Sequence, residues 1–264
     1  MAEFDNRYAR MRPGARTDVA VDEGLRAYML RVYNYMAGGV FLTGIVAYLA
    51  FTQAVTMDPA LAAKTAGGVA LLKRGMYLTP FGMALFVSPL KWLVMLAPLG
   101  FVFFLSFRIY QMSVSAAQWT FWLFAAVMGL SLSTIFLVFT GQSITQVFFV
   151  TAAAFGGLSL YGYTTKRDLT ALGKFLFMGV IGLILASLVN MIWPSDTMSF
   201  VISAAGVLIF SGLIAYDTQK IKQQYAEAWG SEMTEKVAIF GALSLYINFV
   251  NLFQFLMMFM GQRR

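Results

Sequence analysis

The chain contains no cysteine and no histidine. Without cysteine there is no disulfide framework, no thiol nucleophile and no thiolate metal site. Without histidine, the side chain that ordinarily titrates near neutral pH is missing, and so is the commonest nitrogen ligand for metals. Any proton sensing therefore falls to carboxylates in unusual surroundings. Charge is scarce as well: 12% of the 264 residues are charged, where a soluble domain carries about 25%. No Asp, Glu, Lys or Arg occurs in the 57 residues from Ile109 to Thr165. A soluble surface cannot be built from that stretch. Two membrane spans of roughly 20 residues and a tight turn fit into it.

What is present agrees. The chain is 59% hydrophobic with a mean hydropathy of +0.72, and it reads as an all-α membrane protein with seven transmembrane helices. A polar, cytoplasmic N-terminal arm, residues 1–29, precedes the seven-helix domain at 30–261, and residues 262–264 form a short tail. The spans are expected at about Leu30–Phe51, Pro89–Phe107, Trp119–Phe139, Ser143–Gly162, Leu172–Trp193, Met198–Asp217 and Val237–Gly261. No short apolar core with a small-residue cleavage site precedes Leu30, so the first span is read as retained rather than as a signal peptide. Its Ala37, Gly38, Gly39 and Gly44 suit close helix packing. Pro98 is expected to kink the second span.

The connection at 52–88 holds Asp58-Pro59, Gly67-Gly68, Lys73-Arg74 and Pro80. These interruptions point to an interfacial or partly re-entrant segment rather than another span. A charged loop is expected between Lys220 and Lys236, with Glu227, Glu232 and Glu235.

The net charge of +7 encodes topology in such a chain. No basic helix or aromatic platform stands apart from the spans, so no nucleic acid is expected as a partner. With the N-terminus cytoplasmic, that side carries 13 of the 19 basic residues, from Arg7, Arg10, Arg12, Arg16, Arg26 and Arg31 through Arg108, Lys166, Arg167, Lys174, Lys220 and Lys222 to Lys236. The opposite side carries Lys64, Lys73, Arg74, Lys91, Arg263 and Arg264. The bias favours a cytoplasmic N-terminus and a C-terminus across the membrane.

Polar groups inside the spans carry the functional reading. Asp217 closes the uncharged run of 20 residues from Thr197 to Tyr216. An ionised carboxylate at the edge of hydrocarbon needs a partner, a proton or an ion. Two placements fit: a solvated helix end facing lipid, or an inward group. Turned inward, burial favours its protonated form, while Lys220 or Lys222 favours the carboxylate. Asp217 and Lys220 lie close enough along a helix for a local ion pair. Asn248, Asn251 and Gln254, three residues apart in the last span, should stay near one helical face with a drift of about 60°. They serve either as interhelical hydrogen-bond glue or as pathway lining. Lys91 either snorkels to headgroups or acts as a buried counter-ion.

Three segments resemble a known family. Gly162-Tyr163-Thr164-Thr165-Lys166-Arg167-Asp168-Leu169, with Leu172-Gly173 after it, is similar to the loop after the fourth helix of the Bax inhibitor-1 family. Ala215-Tyr216-Asp217-Thr218-Gln219-Lys220-Ile221 resembles its sixth-helix motif, and Ala242 to Phe253 (ALSLYINFVNLF) its seventh-helix motif. The resemblance covers the chain from about residue 24 and is to a bacterial-type member. It implies a central seventh helix ringed by six, and a pH-sensitive calcium leak. In that family an aspartate on the sixth helix is thought to share a proton with one on the seventh, latching a pore that deprotonation loosens. Asp217 stands at the first position of the pair, but Asn248 stands at the second.

This departure removes the repulsion between carboxylates that a shared proton relieves. It also removes one anionic oxygen that calcium would favour, so Asp217 is expected at most as a weak calcium ligand. The leading expectation is a calcium or cation leak of a bacterial inner membrane, regulated through Asp217 and needing no cofactor. The alternative is a non-conducting regulator of a membrane-anchored AAA protease, contacted through residues 1–29. No GxSxG, HExxH or paired-aspartate motif is present, so no enzyme is expected. A retinal-binding reading fails because the seventh span has no lysine.

Overall fold

The computed structural model describes residues 13–65, 68–73, 75–108, 111–225 and 230–263. Arg7, Arg10, Arg12, Gly67, Arg74, Glu227 and Arg264, used in the sequence reading, lie outside the described residues. So does the rest of the arm at 1–12. Nine helices make up the bulk of the described residues: α1 (Pro13–Ala54), α2 (Pro80–Phe86), α3 (Leu90–Arg108), α4 (Val114–Leu132), α5 (Ile135–Val138), α6 (Gly141–Thr164), α7 (Thr170–Ile192), α8 (Asp196–Gln224) and α9 (Ser231–Met260). Six helical stretches are long and apolar enough to cross a membrane, counting α4 and α5 as one, and a seventh results if the bent pair α2–α3 is one span. The protein is an all-α integral membrane protein.

Hydropathy locates the apolar middle of each helix, and the helices run beyond it. α1 starts at Pro13, and Tyr28 and Met29 are already core residues. α8 continues seven residues past Asp217, which is therefore not a helix end. Much of the expected charged loop between Lys220 and Lys236 is helical instead: α8 runs to Gln224, and α9 begins at Ser231 and carries Glu232, Glu235 and Lys236 on its first turns. Lys236 is buried and pairs with Glu232 at 2.8 Å. Backbone hydrogen bonds inside a helix persist outside hydrocarbon, so polar sequence does not stop these helices.

The connection after α1 folds into two small antiparallel sheets. One joins β1 (Val55–Thr56), β5 (Met76–Leu78) and β4 (Leu71–Lys73). The other pairs β2 (Lys64–Thr65) with β3 (Gly68–Val69), where Gly68 supplies a φ of +119°. Ala63, Ala70 and Leu78 form a small separate core beneath them. α2 and α3 then meet at 57°. The marked bend thus lies at Val87–Pro89, while Pro98 sits inside α3.

α9 is the axis of the bundle. In its most apolar stretch 61% of residues are buried, against 11% for α7. It packs against α1, α4, α6 and α8. α3 backs onto α4 and α7 onto α8. Large apolar residues of α7, such as Phe175 at 70% exposure, face outward, as hydrocarbon contact requires. Near the middle of the bundle Tyr246 and Thr43 bond through their hydroxyls at 2.6 Å, and Thr43 donates to the Ala125 carbonyl at 2.8 Å, linking α9, α1 and α4.

The two ends of the bundle differ. One end gathers the start of α1, the α6–α7 loop and the α8–α9 connection. There Arg31 pairs with Glu235, Tyr35 donates to Glu235 at 2.6 Å, and Gln118 donates to Tyr35 at 2.6 Å. The other end gathers the small sheets, the α5–α6 turn and the C-terminal tail. Gln262 accepts from the Thr140 amide at 3.0 Å and donates to Ser143 Oγ at 2.9 Å. The tail is thus tied to the turn that opens α6.

Candidate functional site

The two motifs on α6–α7 and α8 are two sides of one contact. A Cβ on Gly162 would lie 2.2 Å from the Ala215 carbonyl oxygen, and one on Gly173 2.5 Å from the Tyr216 ring. Only glycine lets α6 and α7 approach α8 this closely at these points. Gln219 then reaches across: its Oε1 accepts from the Leu169 amide at 2.9 Å and its Nε2 donates to the Arg167 carbonyl at 2.7 Å. Lys222 donates to the Tyr163 carbonyl at 2.8 Å, with its Nζ 4.8 Å from the centroid of the Tyr163 ring. In the loop itself, hydrogen bonds from the Thr170 hydroxyl and amide hold the Asp168 carboxyl below its usual range. These ties lock the turn of α8 that carries Asp217.

Asp217 points at α9. Its Oδ2 accepts from the Asn248 amide at 2.7 Å and from the Ser244 hydroxyl at 2.9 Å. Ser244 and Asn248 are four residues apart and so share one face of α9. Asn248 is buried, whereas Asp217 and Ser244 are partly buried. On the next residue of α8, Thr218 exchanges a hydrogen bond with Ser159 at 3.1 Å, and Ser159 with Tyr33 at 2.7 Å. A polar layer thus crosses the apolar bundle from α1 through α6 to α8, and from α8 to α9.

Asp217 makes no ion pair among the described residues. Lys220 is exposed, with its Nζ 5.9 Å from the Tyr216 ring centroid. The local Asp217–Lys220 pair allowed by spacing therefore does not form. Asn251 and Gln254 do not join Asn248. Each step of three residues falls about 60° short of a full turn, so the drift reaches about 120° by Gln254. These two amides instead line a separate cavity of about 500 Å³ between α3, α4, α5 and α9, together with Ser131 and Thr134. Lys91 is exposed at the opposite end of the bundle, 5.5 Å from the Trp92 ring centroid.

Ser244 is the residue of this clasp that sequence reading misses. Its spacing of four from Asn248 is the signal that could have found it. The site offers a cation little: two hydrogens, from Ser244 and Asn248, point at Asp217. No group of three or more His, Cys, Asp or Glu capable of holding a metal occurs among the described residues. Calcium prefers six to eight oxygens; what the described residues form around Asp217 is a hydrogen-bonded clasp between α8 and α9. The chemistry available is a change of charge. An ionised Asp217 accepts two charge-assisted hydrogen bonds, each roughly twice as strong as a neutral one. Protonated, it keeps Asn248 as a partner, because an amide can accept as well as donate.

Fold and site together define a polytopic membrane protein with a lone carboxylate clasped to its central helix. The family described as "Inhibitor of apoptosis-promoting Bax1" matches residues 25–264. The chain is 44% identical over 265 residues to an uncharacterized protein of Caulobacter vibrioides, covering 100% of both. It is 40% identical over 243 residues to the inner membrane protein YbhL of Escherichia coli, covering 91% of this chain and 94% of that one. The protein belongs to the Bax inhibitor-1 family.

Proposed function

We propose that this protein is a calcium or cation leak of the inner membrane whose opening is set by the protonation of Asp217. The observation that carries the reading is the Ser244–Asp217–Asn248 clasp, which joins α8 to the central helix through the one acid in the middle of the polar layer. Gating at this point needs α8 to move relative to α9. An ionised Asp217 holds the two helices more firmly than a neutral one, so flux falls as pH rises through its titration. This is the reverse of a two-aspartate latch, where a shared proton closes the pair and its loss drives the carboxylates apart. Asn248 is the reason for the reversal.

The cavity lined by Asn251 and Gln254 supports the same reading, since it sets these amides with Ser131 and Thr134 in an otherwise apolar space beside α9. The inner membrane as location is taken from the relative YbhL. A cytoplasmic N-terminus and a C-terminus across the membrane are supported by the basic residues. Arg26, Arg31, Arg108, Lys166, Arg167, Lys220, Lys222 and Lys236 gather at the end where α1 begins, against Lys64, Lys91 and Arg263 at the other.

The test is calcium entry into proteoliposomes holding the purified protein, followed with an entrapped indicator. Entry above that of empty vesicles is expected. No entry at any pH would refute the leak and favour the regulator of a membrane-anchored AAA protease. For that reading the probe is deletion of residues 2–12, because a cut to residue 29 would remove Tyr28 and Met29 from the core.

A further inference from the structure

A groove runs along the flank of the bundle between α1 and α6. It consists of two cavities of about 890 and 490 Å³ that share Val40, Phe41, Phe148 and Phe249. Along α1 its lining extends from Arg26 to Tyr48, a rise of about 33 Å that matches the ~30 Å of bilayer hydrocarbon. Phe249 of the central helix forms the floor. The rim is open, with Phe41 72% and Leu160 63% exposed. In a spanning bundle the groove therefore faces lipid and not water.

Charge enters at one end, where Arg26 lines the larger cavity with Tyr33, Ser159 and Tyr163, whereas the smaller cavity has Thr43, Tyr48 and Thr145 but no charged side chain among its described lining. Lys222 does not line the cavity, but its Nζ lies 4.8 Å from the centroid of the Tyr163 ring that does. Arg26 is exposed and makes no ion pair among the described residues. Among the described residues, no acidic side chain lines either cavity. A long apolar slot with a cationic mouth at headgroup depth matches one ligand in its surroundings. We propose that the groove binds one anionic phospholipid, its acyl chain lying along Val40, Phe148 and Phe249 and its phosphate at Arg26. The proposal rests on the spanning topology alone and stands or falls independently of conduction.

The test is native mass spectrometry of the full chain released from mixed micelles of phosphatidylglycerol and phosphatidylcholine. The wild type is expected to keep one lipid under activation that strips the others, with phosphatidylglycerol favoured roughly fivefold, as one basic residue near a headgroup supplies. Gly156→Phe places a ring in the groove from a position whose Cβ would meet nothing within 4 Å, and it is expected to lose the retained lipid. Ala37→Phe, from the α1 wall, should do the same and serves if Gly156→Phe does not fold. Arg26→Gln should keep one lipid without the headgroup preference. Equal retention by the wild type and both groove-filling variants would overturn the proposal. So would a wild-type dimer that these variants dissociate, since a second copy would then fill the groove.

Discussion

Gly162 on α6 and Ala215 on α8 meet backbone to backbone, so that the space a Cβ would need is already held by the Ala215 carbonyl. Gly162→Ala must push α6 from α8, or bend one of them. The expected cost is about 1–3 kcal/mol, read as lowered thermal stability in detergent. Gly157→Ala, whose Cβ would meet open space, is the control and should leave stability unchanged. Equal effects of the two would refute the close contact.

Thr43 and Tyr246 make unequal partners. Thr43 accepts from the Tyr246 hydroxyl and donates to the Ala125 carbonyl, so Tyr246→Phe leaves it still bonded. Thr43→Val leaves the fully buried Tyr246 hydroxyl with no partner, at a cost of about 1–3 kcal/mol. Thr43→Val should therefore destabilise more than Tyr246→Phe. The double variant should cost less than the two single changes added together. Additive costs would show that the hydroxyls do not interact.

Gln219 closes the α6–α7 loop through both its amide atoms. Gln219→Leu removes both bonds and should raise trypsin cleavage after Lys166 or Arg167 by about tenfold, the population change that roughly 1.4 kcal/mol brings. Unchanged cleavage would mean that the loop is held elsewhere.

The six long apolar helices, and the apolar run of α3 in the bent pair, were legible in sequence because a helix in hydrocarbon must be apolar over roughly 20 residues. The ends of α1, α8 and α9 were not, because in those turns polar residues are tolerated and no hydropathy signal marks them. The pairs β1–β5 and β2–β3 were also hidden: strands of two residues have no period to detect. Asp217 stands out by its place after an uncharged run and Asn248 by its place in the last span; the family resemblance pairs them, and the structure brings them together. Asn251 and Gln254 looked like companions of Asn248, but the angular drift of a three-residue repeat carries them to another cavity. Glu235, assigned by sequence to a loop, sits on α9 and binds Arg31 and Tyr35. Contacts between distant helices leave no mark in the local sequence.

Asn248→Asp restores a second carboxylate beside Asp217. The pair then interacts strongly, by about one pH unit or more. The transition in calcium flux should move to higher pH than in the wild type, and its sense should reverse, with flux rising as pH rises. Identical flux profiles for the two proteins would refute the role given to Asn248.

The most direct measurement is calcium flux through reconstituted wild type and Asp217→Asn from about pH 5 to about pH 8. The predicted result is a wild-type flux that falls as pH rises and a variant flux that stays flat near the wild-type low-pH level. A variant that follows the wild-type profile, or a wild type that conducts at no pH, would contradict gating through Asp217.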